Sequence, residues 1–329
     1  MLIFRKKFNI FLFLFFILFL IIATKTLAIS DEKLTIAFVP RSLDNPIFLD
    51  TFENAQKQAS DLGVRLEWVA PFSFDTDEQI AIIENLIRRE VDGIIMSVDD
   101  VQSIRDVIKK AIDNDIVVAT FDADSPGSER LFHIGIDNYR AGQAIGEALV
   151  QLINDKGLGE TELDTMIMTG VSEALNLQER ISGFHQATAE INLNIKDVLE
   201  NNDDVKLAID LLEKYVQKNP EIDLIYFVGG WPFYVPAEAM PNFQKWAQNG
   251  GIAVGIDIFY NALLLQKEGL IHYLIGQDLA SMGSDGLKYM VEYILYGVKP
   301  EEFIETGLEH ANSSNIDYLL EIHKPWLVK

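Results

Sequence analysis

From Leu34 onward, short runs of apolar and β-branched residues alternate with amphipathic stretches of helical length. Such alternation predicts β-α-β units wound around parallel sheets. A first set of strands is expected at 34–39, 64–69, 93–97, 116–120 and 131–135. Helices are expected between them at 48–62, 78–89 and 101–112; in the first, Phe52, Ala55, Ala59 and Leu62 recur at helical spacing. A helix at 140–153 leads to a second set of strands at 165–169, 195–199, 224–228, 252–255 and 273–276. Its helices are expected at 177–190, 205–217, 237–248 and 281–295.

Runs such as Gly93-Ile94-Ile95-Met96 and Leu224-Ile225-Tyr226-Phe227-Val228 are apolar on both faces, which a parallel sheet covered by helices on both sides requires. The expected fold class is therefore α/β, with two doubly wound parallel-sheet lobes. The polar stretch 154–164, with Gly157 and Gly159, reads as a surface loop. No low-complexity linker or third domain is expected.

The segment before Leu34 breaks the pattern. Arg5, Lys6 and Lys7 precede an apolar run over 10–23, followed by Thr24-Lys25-Thr26-Leu27-Ala28. The run of 14 residues is shorter than the roughly 20 needed to span a bilayer as a helix. A signal peptide over 1–28, cleaved after Ala28, is the expectation. Cysteine is absent, so neither a disulfide framework nor a lipid anchor at the cleavage site is expected. A freely soluble periplasmic protein follows. The leader takes four of the 27 basic residues and none of the 50 acidic ones, leaving 23 against 50 and a mature net charge of minus 27. That charge repels phosphate backbones and anionic lipid, which argues against a nucleic-acid partner.

Open α/β sheets hold ligands beyond the carboxyl ends of their strands. After the first strand comes Arg41-Ser42-Leu43-Asp44-Asn45-Pro46-Ile47-Phe48, where Asn45 offers donors and an acceptor and Phe48 a ring face. Asp122 and Asp257 stand at the mouths of two further strands, each suited to accept from adjacent hydroxyls or to cap a helix. Arg180 lies in the first turns of a helix that Asn176 is expected to cap, placed to fork onto ligand oxygens and pair with the mouth carboxylates, or to be a solvated helix charge. Gly229-Gly230-Trp231-Pro232-Phe233-Tyr234 offers close backbone approach and an aromatic platform, or a plug beneath a loop. Gln277 ends a late strand with an amide.

In this order and spacing the residues resemble the type I periplasmic sugar-binding proteins of ABC importers, the ribose-, galactose- and allose-binding group with the effector fold of the lac repressor. The marks are Asn45-Pro46-Ile47-Phe48, Glu179-Arg180-Ile181-Ser182-Gly183-Phe184, Ile256-Asp257 and Gly276-Gln277. The resemblance implies sugar contacts from Asn45, Phe48, Asp122, Arg180, Asp257 and Gln277. Two departures, Ala123 where the group's ribose binder has Arg and Gly230-Trp231 where it has Asn-Asp, argue against ribose. The second is similar to a branch with a Gly-Gly-Trp-Pro loop and an Asn202-Asp203-Asp204 run, which adds Trp231 and Asp204 to the expected site.

The resemblance further implies a three-segment hinge near Asp137, Gln277 and Thr306. The N-terminal lobe would be 29–137 plus 278–306, and the C-terminal lobe 138–277 plus 307–329. It implies a monomeric receptor without cofactor or metal, handing a small sugar or polyol to an ABC permease in the inner membrane, or its bound state to a membrane sensor. A carbohydrate-active enzyme is the rival reading, since paired carboxylates near a sugar suit glycoside cleavage. However, the five histidines show no metal spacing, and no Gly-x-Ser-x-Gly elbow or phosphate loop is present. A repressor of the same fold would begin with a helix-turn-helix, where this chain has its leader.

Overall fold

The computed structural model describes residues 33–98, 100–312 and 314–323. The expected leader over 1–28 and the last residues of the expected C-terminal lobe lie outside the described residues.

Two six-stranded sheets carry the fold. The first contains β1 (Thr35–Val39), β2 (Arg65–Trp68), β3 (Gly93–Met96), β4 (Val117–Phe121), β5 (His133–Gly135) and β11 (Phe303–Glu305), in the spatial order β11-β5-β4-β3-β1-β2. All its pairings are parallel. The second contains β6 (Leu163–Thr169), β7 (Leu193–Glu200), β8 (Leu224–Phe227), β9 (Ile252–Ile256), β10 (Tyr273–Gln277) and β12 (Leu308–Ala311), ordered β12-β10-β9-β8-β6-β7. Only β12 runs antiparallel to its neighbour there. Without β11 and β12, both sheets have the 2-1-3-4-5 order of a doubly wound fold.

The chain leaves the first sheet after β5, leaves the second after β10, and passes back once more between β11 and β12. After the first passage, α4 (Asn138–Asp155) packs on α5 (Leu175–Ala187) over the second sheet. After the second, α9 (Leu279–Tyr296) packs on α1 (Leu49–Leu62) over the first. Both crossing helices are capped by an acid at the passage: Asp137 accepts from Arg140 N and Asp278 from Ser281 N, each at 2.9 Å.

The helix pairs approach closely through glycine. A Cβ on Gly142 of α4 would overlap the carbonyl of Arg180, one on Gly183 of α5 that of Tyr139, and one on Gly283 of α9 that of Thr51. Most of the remaining helices, α2 (Thr76–Arg88) among them, are ordinary amphipathic covers. In α3 (Val101–Ile112), Ile104, Val107, Ile108 and Ala111 are buried at helical spacing, and Asp100 caps the start at Ser103 N.

The structure differs from the sequence expectations at several elements. Pro46–Phe48 forms a 3-10 turn and α1 begins only at Leu49. Leu62, expected to continue the apolar recurrence of Phe52, Ala55 and Ala59, is exposed as the last residue of α1, which the left-handed Gly63 caps. The single helix expected over 237–248 is a 3-10 turn, Ala237–Ala239, followed by α7 (Pro241–Gln248); Pro241 lacks an N–H and opens the helix at its first position. Four elements were not expected: α8 (Tyr260–Lys267), β11, β12 and α10 (Ile316–Ile322). Among the described residues no helix is long and apolar enough to cross a membrane.

Candidate functional site

Every strand-end loop singled out in the sequence opens on one side, where the carboxyl ends of the two sheets face a common cavity. Its lining comprises Arg41, Asn45, Ile47, Phe48 and Asp122 from the first sheet's loops. Asn176, Leu177, Arg180, Asp203, Gly230, Trp231, Tyr234, Asp257 and Gln277 come from the second. Seven of the eight expected residues are therefore brought together.

The eighth, Asp204, is not in the lining. Its carboxylate accepts from Leu207 N at 2.7 Å and caps α6 (Val205–Lys218). Asp203 faces the cavity instead, because Asn202 and Asp203 both adopt left-handed backbone, φ 53° and 59°, which turns the chain between β7 and α6. Asn176 also departs from expectation. Ala174 precedes α5 without a side-chain cap, and Asn176 sits inside the helix with its amide oxygen buried against the cavity.

The acids are held in backbone conformations that few residues accept. Asp122, Asp203 and Asp257 have φ of 58°, 59° and 85°. Asp tolerates this region better than most residues, and such strain concentrates at functional sites. Asp122 accepts from Ser97 Oγ at 2.8 Å. Burial pushes its carboxyl above the ordinary range; the Arg180 and Arg41 charges and the Ser97 bond oppose that push, and Asp257 adds to it. Asp257 accepts from Gly230 N at 2.9 Å and from Gln277 Nε2 at 2.7 Å, tying together the loops after β8, β9 and β10. Asn45 spends its amide oxygen on Ile47 N at 3.2 Å, shaping its own loop.

Arg180 is aimed by neutral partners rather than by the expected carboxylates. Its Nε donates to Asn138 Oδ1 at 2.9 Å and its Nη1 to the Val228 carbonyl at 3.1 Å. The third nitrogen, Nη2, is buried without a hydrogen-bond partner. The same holds for Asn176 Oδ1, Asp203 Oδ1, Tyr234 OH and Gln277 Oε1. Buried polar atoms are normally paired, so five unpaired ones in the lining of one cavity mark a surface complementary to a polar ligand.

The aromatic lining is fixed as firmly. Phe48 packs edge-on against Phe121, and the Trp231 ring lies against Gly229 and Gly170, where a Cβ at either glycine would collide with it. Tyr234 rests on Phe259 with ring centres 4.3 Å apart, and burial drives its hydroxyl pKa far up, so it stays a neutral donor and acceptor.

Arg41, Ile47, Asn176, Leu177, Asp203, Gly230 and Tyr234 are the lining residues outside the expected set. The signal for Arg41 was a charge two residues past a fully apolar strand. That for Asp203 was the Asn-Asp-Asp run, from which the neighbouring acid was chosen.

Comparison with known proteins gives a consistent picture. The D-ribose/D-allose-binding protein of Pseudomonas aeruginosa is 27% identical over 202 residues, covering 59% of this chain and only 61% of that protein. The ribose import binding protein of Escherichia coli strain K12 is 25% identical over 267 residues, 81% of this chain and 86% of the relative. An ABC transporter solute binding protein from Burkholderia graminis, solved in complex with D-arabinose, superposes with a TM-score of 0.78 at 27% identity, over 87% of this chain and 98% of that one. The family model described as periplasmic binding protein domain matches residues 36–297, and with most of its length so matched, the chain belongs to the periplasmic binding protein family.

Proposed function

We propose that this chain is an exported receptor, not an enzyme, that captures a monosaccharide or related polyol between its lobes and delivers it to an ABC importer. The observation that carries the reading is the set of five unpaired buried polar atoms gathered with Phe48 and Trp231 around one cavity. A ligand with several hydroxyls and an apolar C–H face satisfies both kinds of lining at once. Relatives named for ribose and allose, and a solute binding protein solved in complex with D-arabinose, support the same ligand class.

In this reading Asn45, Phe48, Asp122, Arg180, Trp231, Asp257 and Gln277 contact the sugar, with Asp203 in place of Asp204. The lobes are 29–137 plus 278–306 and 138–277 plus 307–329, and they hinge at the three passages between sheets. Ligand contacts made by both lobes favour the closed form, whereas contacts to one lobe alone would leave the equilibrium unmoved. Micromolar affinity asks for about 8 kcal/mol. A few charge-assisted hydrogen bonds and a stacked ring supply that after ordering costs.

The test is calorimetry with ligand-free protein against a panel of pentoses, hexoses and cyclitols. At least one is expected to bind with micromolar affinity or better, and silence across the panel overturns the reading. Mass spectrometry of ligand retained through purification names the sugar independently.

A further inference from the structure

Arg41 and Asp203 come from opposite sheets. Arg41 follows β1, Asp203 lies between β7 and α6, and their Nη2 and Oδ2 atoms are 3.0 Å apart across the cavity. Both side chains are only 6% exposed. The Arg41 guanidinium also lies 5.3 Å over the Phe74 ring on its own side. On the other side, Gly170 makes room for the acid, since a Cβ there would overlap Asp203 Oδ1. The carboxylate is therefore held with one oxygen on the arginine of the facing sheet. Its other oxygen is buried in the cavity lining without a partner.

Two opposite charges buried on facing lobes are together only when the lobes are closed. Opening separates them and returns each to water. An ion pair in that position couples closure to a single contact, and the second Asp203 oxygen couples the same residue to whatever lies in the cavity. We propose that Arg41 and Asp203 form a charged latch that stabilises the closed lobes, and that Asp203 simultaneously accepts a hydroxyl of the ligand through its second oxygen. The ligand half of this rests on the sugar-receptor reading above; the latch half does not.

The sign of the latch is open to direct measurement. Burying a pair costs desolvation; removing Arg41 leaves the Asp203 carboxylate buried without its cation, and removing Asp203 takes from Arg41 its carboxylate on the facing lobe, so each single substitution disfavours the closed form whether or not the pair is net stabilising. The double substitution separates the cases. Because the chain has no cysteine, Asp61→Cys on α1 and Lys206→Cys on α6, both exposed, give a unique pair of spin-label sites on the two lobes. Inter-label distances are measured in ligand-free protein for the parent, Arg41→Met, Asp203→Asn and the double variant. The latch predicts a shift to longer distances in both single variants and an equally open double variant. Unchanged distances in the singles, or a double variant as closed as the parent, overturn it.

Thermal shifts with D-ribose, D-allose and D-arabinose then test the ligand half. A sugar that stabilises the parent is expected to bind Asp203→Asn roughly tenfold more weakly or worse. An equal response in both overturns the contact. If the parent responds to none of the three and to no other member of the sugar panel, the receptor reading falls and takes the ligand contact with it, while the distances still decide the latch.

Discussion

Asp257 acts on the site through two neighbours: one carboxylate oxygen orients the Gly230 N–H and the other the Gln277 amide. Asp257→Ala leaves both donors without their acceptor, a cost of about 2–3 kcal/mol. Sugar affinity is expected to fall by roughly two orders of magnitude in calorimetry, with circular dichroism unchanged. Gly170→Ala is expected to do comparable damage from outside the lining, because the new methyl meets both the Asp203 carboxylate and the Trp231 ring. Its readout is loss of the sugar-induced thermal shift. At this scale the cavity residues were legible wherever a polar side chain directly follows an apolar strand, as Asp122 and Asp257 do, or ends one, as Gln277 does. Asp203 and Asp204 were not separable in advance, since which acid faces inward depends on two consecutive left-handed residues. Tyr234 was only part of an aromatic run until the 3-10 turn Trp231–Tyr234 turned it back over Phe259.

Helices matter here for what they carry. α5 brings Arg180 to the cavity and α1 follows the loop that brings Phe48, and each is pressed against one of the crossing helices through glycine. A methyl at Gly183 would drive into the Tyr139 carbonyl and push α5 off α4, displacing Arg180 from Asn138 and Val228. Gly183→Ala is therefore expected to cost about 1–3 kcal/mol by overpacking. The drop shows in urea unfolding, and the sugar affinity falls with it; an unchanged midpoint would mean that the helices slide freely. The long amphipathic helices and apolar strands were readable because their periodicity is set by burial on one stripe or on both faces. β11 and β12 were not. They are three and four residues long, all but one of them half-exposed or exposed, and owe their existence to pairing with β5 and β10 rather than to any pattern of their own. α8 has little amphipathic character, with Ala262, Leu263 and Leu265 buried on no single stripe.

For the molecule as a whole, stability carries a titration that originates on β5, next to the edge strand β11 of the first sheet. Thr120 Oγ1 donates to Asp124 Oδ1 at 2.6 Å, so toward His133 Nδ1, 3.0 Å away, it is the acceptor. The imidazole thus carries a proton on Nδ1. Burial lowers its pKa to about 4, against the pull of Asp124, which raises it, while Arg130 adds to the lowering. The unfolded chain takes up a proton near pH 6.5, and the folded one only near 4. The contribution is therefore complete above 6.5 and is lost as pH falls from 6.5 toward 4, reaching about 3 kcal/mol. Asp124 stays out of that window: burial raises its pKa, but the Arg130 hydrogen bonds and the neighbouring His133 and Thr120 outweigh it, and the net is a lowered value. Asp122 and Glu179 act in the opposite sense, since both are raised by burial first and stabilise the fold as pH falls. The bare pH profile mixes these slopes, so the difference between parent and His133→Gln isolates the histidine. Calorimetric melting at pH 7 and pH 5 is expected to show the parent losing more stability than the variant between the two values. Equal losses would mean that His133 is protonated in the folded protein at pH 5 as readily as in the unfolded chain, and that burial does not lower its pKa.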